Sequence, residues 1–172
     1  ATVLPDGRVI PAIADLKAFD RLMPLAMSRS LSRKLALNGV PLPDGIIPFL
    51  ADDLRFVLDR LTAINTTDPV LAGHLDLSRA GVFGMSLGGY IGQETCRKDA
   101  RLRACLAVDA GQTAPVAQDG LTQPLMIMTR DADVMRQERA SAGGWPEDEI
   151  RHTIDTQRAL YAHNRADAFY LT

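Results

Sequence analysis

The ten residues GVFGMSLGGY, 81–90, constrain the fold more than any other stretch of the chain. Three glycines, Gly84, Gly88 and Gly89, fall within six positions around Ser86, directly after a short apolar run. Glycine weakens both helices and strands, so a cluster there points to backbone geometry that side chains would forbid. Gly84-Met85-Ser86-Leu87-Gly88 fits G-x-S-x-G, the pattern of a nucleophilic serine on a sharp strand-to-helix turn. Strand and helix converge there, which predicts collisions for side chains two positions before and after the serine. The helix that follows points unpaired N–H groups at the reaction centre, and the Leu87 N–H is a candidate oxyanion donor. A dinucleotide G-x-G-x-x-G is not matched, because Ser86 stands where its second glycine belongs, and no phosphate-loop Gly-Lys-Ser/Thr occurs. A tightly packed glycine turn with no chemistry is the bland reading of the same residues.

The surrounding pattern suits that turn. Continuous apolar runs at "AGVFG" (80–84), "ACLAVDA" (104–110), "PLMIMT" (124–129) and "AFYLT" (168–172) read as strands covered on both faces. Between them, 87–98 reads as helix, and Pro146 followed by Glu147, Asp148 and Glu149 starts another that runs to about Asn164. Upstream, Leu50, Leu54, Val57, Leu58, Leu61 and Ile64 share one face of an amphipathic helix. Asp6-Gly7 marks a turn between extended pieces, residues 12–37 read as mixed helical, and 39–48 as a loop. Alternating strands and helices predict a parallel α/β sheet. At 172 residues the chain reads as a single domain, with 1–49 cap- or loop-like and 50–172 the core. Met23 and Met27 suit either a lipid-facing cap or an ordinary core helix.

Composition removes some classes. A net charge of −2 with no Lys/Arg run argues against a nucleic-acid surface. The longest uncharged apolar stretch is too short to span a bilayer, and no secretory leader pattern is visible. Cys96 and Cys105 read as two core thiols, with neither a disulfide framework nor a Cys/His metal spacing. No metal and no cofactor are expected, and the compartment is open.

A serine hydroxyl needs a base, and the base an orienting acid. Asp109 ends one strand, and Asp131, with Asp133 nearby, follows the next; spacing alone does not choose between them. The three histidines sit poorly for a base. His74 precedes the serine's strand, roughly 15–20 Å away along it. His163 precedes the last strand, and His152 lies in the first turns of its helix.

The stretch "DLRFVLDRLTAIN…LDLSRAGVFGMSLGGYIGQETCRKDARLRACLAVDAG" resembles the platelet-activating-factor acetylhydrolase family, a branch of the α/β-hydrolases. The likeness rests on the helix "DLRFVLDRL", the Asp-x-Ser-Arg lead, the elbow, "KDARLRA" and "VDAG", chiefly within 50–130; Met85 stands where relatives often carry His. The resemblance implies a partial α/β-hydrolase fold with a nucleophile elbow, Ser86 as nucleophile and Asp109 as triad acid. It implies hydrolysis of short-chain or lipid-like carboxylic esters through an acyl-enzyme. It further implies a histidine after Thr172, a second oxyanion donor from an early loop, and completion by a missing N-terminal part of the same fold. A small ester or lipid is then the expected partner. Two other readings stand beside this one: a dienelactone- or polyester-hydrolase-like carboxylesterase using Asp131, and a non-catalytic binding module on the same fold.

Overall fold

A computed structural model describes residues 2, 3, 7–10, 35–37, 40–42, 44–142 and 146–172. The chain divides into two units, Ala1–Ile46 and Ile47–Thr172. In the first, β1 (Thr2–Val3) pairs antiparallel with β2 (Val9–Ile10), and Gly7 between them has φ 82°, as a turn there requires. A second hairpin pairs β3 (Leu35–Leu37) with β4 (Val40–Leu42). The helical reading of 12–37 and the loop reading of 39–48 therefore fail at this hairpin. Asn38-Gly39 between two apolar triplets is a hairpin signal. Residues 11–34, with Met23 and Met27, lie outside the described residues.

The second unit is built on α1 (Ile46–Thr67), β5 (Val82–Met85), α2 (Leu87–Lys98), β6 (Cys105–Val108), α3 (Ala114–Asp119), β7 (Leu125–Met128), α4 (Ala132–Ala142), α5 (Glu147–His163) and β8 (Ala168–Leu171). The strands form one parallel sheet in the order β5-β6-β7-β8. The predicted strands and the helix at 87–98 are all present, whereas α3 and α4 were not read from the sequence. α1 starts four residues before Leu50. Its most buried members are Ile47 and Ala51, and Val57, assigned to the apolar face, is exposed. Its polar side is tied to the end of α2: Lys98 Nζ donates to Asp52 (3.0 Å) and to the Pro48 carbonyl (3.3 Å), and Arg101 Nη1 to Asp59 (2.7 Å). Among the described residues no helix is long and apolar enough to cross a membrane.

The two sheet faces differ. On one, α2 packs on β5 and β6, and α5 on β7 and β8. There Cys105, Leu125 and Ile127 join Cys96, Leu102, Val116, Leu121 and Leu160 in the main core. Both cysteines are buried free thiols, and the contact with Cys96, followed by burial, pushes the Cys105 thiol up. On the other face the register aligns Phe83, Leu106, Met126 and Phe169 in one row, and Met85, Val108, Met128 and Leu171 in the next. Phe83 is 80% exposed and Met85 69%, so among the described residues these strands are covered on one face, where the sequence reading expected both. Alternation of burial along β5 and β8 follows from this, as side chains on a strand point to opposite sides by turns. Among the described residues β5 also has a partner on only one edge.

Candidate active site

Parallel register sets the site's frame. The Ser86 N–H donates to the Val108 carbonyl (2.8 Å), Asp109 N–H to Met128 (2.9 Å) and Thr129 N–H to Leu171 (2.9 Å). Ser86, Asp109 and Thr129 thus stand side by side, each one step beyond its strand, on the carboxyl rim of the sheet. In open α/β sheets this rim is where ligands bind.

Backbone strain concentrates at the same rim. Ser86 has φ 52° and ψ −122°, and Asp109 has φ 48°; among the described residues no other non-glycine residue has positive φ. Such conformations cost of order 1–3 kcal/mol each and persist where the surroundings over-determine them. Ser86 is the N-cap of α2, yet its side chain does not cap the helix and makes no hydrogen bond among the described residues. Its carbonyl accepts from Gly89 N (2.9 Å) and Tyr90 N (3.3 Å), so the Leu87 and Gly88 N–H groups precede the first intrahelical bonds.

The glycines divide their work differently from the sequence reading. A Cβ on Gly84 would lie 2.2 Å from the Gly88 carbonyl oxygen, so that position admits no side chain. At Gly88 a Cβ would meet nothing within 4 Å. The close approach after the serine is at Gly89, where a Cβ would fall 2.4 Å from Ala110 Cβ on the acid's loop. Steric need on the helix side is therefore at Gly89, because that position, and not Gly88, faces β6.

Asp109 is firmly held. Its Oδ1 accepts from the Arg130 backbone N–H (3.0 Å) and the Thr129 hydroxyl (3.4 Å), and its Oδ2 from Arg130 Nε (2.7 Å). Arg130 Nη1 also donates to Glu138 on α4. The Glu138 bond, and after burial's opposing pull the charge of Asp109, raise the Arg130 pKa above its ordinary value. Behind the acid, fully buried Gln157 of α5 donates to the Ala110 carbonyl (2.9 Å) and the Thr129 hydroxyl (3.2 Å) and accepts from the Tyr170 hydroxyl (3.1 Å). The loop is closed against α5 by Gln112 N–H, which donates to the Thr156 hydroxyl (2.9 Å), and against α2 at Gly111, whose Cβ would strike the Tyr90 hydroxyl at 2.3 Å.

Asp131 is exposed at the start of α4, and its carboxylate makes no hydrogen bond among the described residues. Asp133 is paired with Arg136 (2.8 Å). His163 Nδ1 bonds the Ala117 carbonyl (2.8 Å) at the end of α5 that leads into β8, the rim opposite Ser86. His74 lies in the exposed turns before β5. His152 adjoins Thr153, whose Cα would lie 3.2 Å from a Cβ on Gly111, so its helix begins beside the acid's loop. Sequence reasoning missed Arg130 and Gln157. A lone arginine after a strand and one glutamine on a helix's buried stripe carry no local signal.

No protein-family model matches the sequence, and no curated protein matches it. Among solved structures, the chain is similar to a ferulic acid esterase from Streptomyces cinnamoneus, with 25% identity and a TM-score of 0.57. The match covers 98% of this chain and 38% of that one, so the chain spans about two fifths of that esterase's length. Together with the parallel sheet and the serine turn, this likeness makes the fold that of part of an α/β-hydrolase.

Proposed function

We propose that this chain carries the nucleophile and the acid of a serine carboxylic ester hydrolase. One observation carries the reading: the two strained non-glycine residues, Ser86 and Asp109, stand at adjacent strand ends on one rim. Ser86 Oγ attacks the ester carbonyl carbon and its proton passes to an imidazole base. The developing oxyanion lies against the Leu87 N–H at the positive end of α2. The tetrahedral intermediate expels the alcohol, which takes that proton, and leaves an acyl-Ser86. Water then attacks the acyl carbon, the base removes its proton, and the acid departs as Ser86 recovers its hydrogen. Asp109 holds the imidazole in the tautomer that accepts from Ser86. None of the three histidines of this chain is assigned as that base, and no metal or cofactor enters the scheme.

Asp109 is favoured over Asp131 because it is part-buried, strained and hydrogen-bonded on both oxygens, while Asp131 is solvated. Esters with short or lipid-like acyl groups fit the family resemblance, whereas the solved neighbour is a ferulic acid esterase. We also infer that the open edge of β5 and the apolar sheet face are completed by further strands and helices of the same fold. That esterase has 62% of its length outside the match, which supports this completion.

The test is fluorophosphonate labelling with ester turnover in the full-length protein. Labelling is expected at Ser86 and lost in Ser86→Ala. Asp109→Asn is expected to lower kcat about 10⁴-fold and Asp131→Asn less than about twofold. The reverse order would transfer the acid's role to Asp131, and an unlabelled Ser86 would make this a binding module.

A further inference from the structure

The end of β7 delivers three donors to one carboxylate. Thr129 Oγ1 and the Arg130 backbone N–H share Asp109 Oδ1, and Arg130 Nε takes Oδ2. We propose that Arg130 is a positioning residue for Asp109, holding its carboxylate in one orientation with Oδ2 left open to the imidazole. This rests on the reading of Asp109 as the triad acid.

A carboxylate offers about four lone-pair sites. Arg130 takes one on each oxygen, the single Thr129 hydroxyl proton is shared between Oδ1 and the Arg130 carbonyl, both at 3.4 Å, and the Asp109 side chain keeps 23% exposure. The open site is therefore on Oδ2, beside the guanidinium, so an arriving ring N–H meets a carboxylate that cannot rotate. Without these donors the Asp109 carboxyl group could turn about its terminal side-chain bond, which is broad and weakly restricted. Arg130 is itself fixed at both ends. Nη1 is bound to Glu138 on α4, and α4 packs through Met135 on Ile150 and Ile154 of α5. The orientation of the acid is thereby referred to two helices as well as to its own strand. A lysine, with one point of attachment, cannot span Asp109 and Glu138 as the planar fork does.

The experiment measures kcat and KM for ester hydrolysis by the full-length protein with Arg130→Gln, Arg130→Lys, Glu138→Gln and Asp109→Asn, alongside the melting temperature of each. Misplacing a catalytic group costs on the order of 10–100-fold, and Arg130→Gln is expected to lose about that in kcat with KM within about twofold. Arg130→Lys is expected to recover only part of the loss. Glu138→Gln, which keeps the Asp109 pair, is expected to lose less than either, and it carries the test should Arg130→Gln fold poorly. A kcat that falls only as far as the folded fraction falls, or full recovery by lysine, would reduce Arg130 to a surface ion pair. Wild-type turnover in Arg130→Gln with Asp109→Asn inactive would overturn the clamp alone, whereas wild-type turnover in Asp109→Asn would overturn the acid's assignment and the clamp with it.

Discussion

The same four strands present two unlike surfaces. Toward α2 and α5 the side chains of β6 and β7 are small or branched and fully enclosed: Cys105, Ala107, Leu125 and Ile127. Toward the other side the sheet offers larger side chains, with Phe83, Met85, Met128 and Phe169 exposed and Met126 half-buried. Apolar surface of that extent marks a place of contact in soluble proteins. Among the described residues the register of all four strands is set with one side covered.

Mutations can break or sharpen this contrast. Ile127→Ala, at 0% exposure in the main core, is expected to cost about 2–5 kcal/mol in urea unfolding. Phe83→Ser on the open side is expected to cost under about 0.5 kcal/mol in this chain and several-fold more once the face is covered in the full-length protein. Equal costs in both proteins would mean that the face stays open.

A smaller effect than at Ile127 is expected at Gln157→Leu, which leaves the Ala110 carbonyl, the Thr129 hydroxyl and the Tyr170 hydroxyl without this partner. About 2 kcal/mol is expected from thermal unfolding, as buried polar groups lose their hydrogen bonds. No loss would mean that water enters behind the acid's loop.

A smaller effect than at Gln157 is expected at the end of α2 on the covered side. The Arg101 guanidinium bonds the Asp99 carboxylate and holds its pKa at about 2, against an ordinary 3.8. A depressed folded-state pKa stabilises at pH above the ordinary value, and that stability is lost as pH falls through about 2. Asp99→Asn is therefore expected to be less stable than the wild type near neutrality by about 1 kcal/mol, with the gap closing between pH 4 and pH 2. Acid titrations of the two melting temperatures that run parallel would contradict it.

Much of this was legible in the residues. Gly84 and Ser86 after an apolar run specify the turn, and the structure sets a strained serine there with a Cβ-intolerant glycine before it. The four apolar runs became four strands because their β-branched and aromatic members, among them Val82, Phe83, Val108, Ile127, Phe169 and Tyr170, suit a pleated sheet. Whether such a run is covered once or twice is not written in it, since Leu106 and Ala107 are equally apolar and face opposite ways. Likewise Gly88 and Gly89 look equivalent until β6 is placed beside one of them. Ala132–Ala142 was missed because only Ala132 and Met135 on it face an apolar partner, too few for a periodic signal. Arg130 acts on a residue 21 positions earlier, which only the parallel register brings within reach.

The left-handed backbone at Ser86 and Asp109 has a consequence for robustness. Glycine would sit in either conformation at ease, so a variant stripped of both side chains would be the more relaxed polymer. The hydroxyl and carboxylate thus stand at these two points in spite of the chain's own conformational preference.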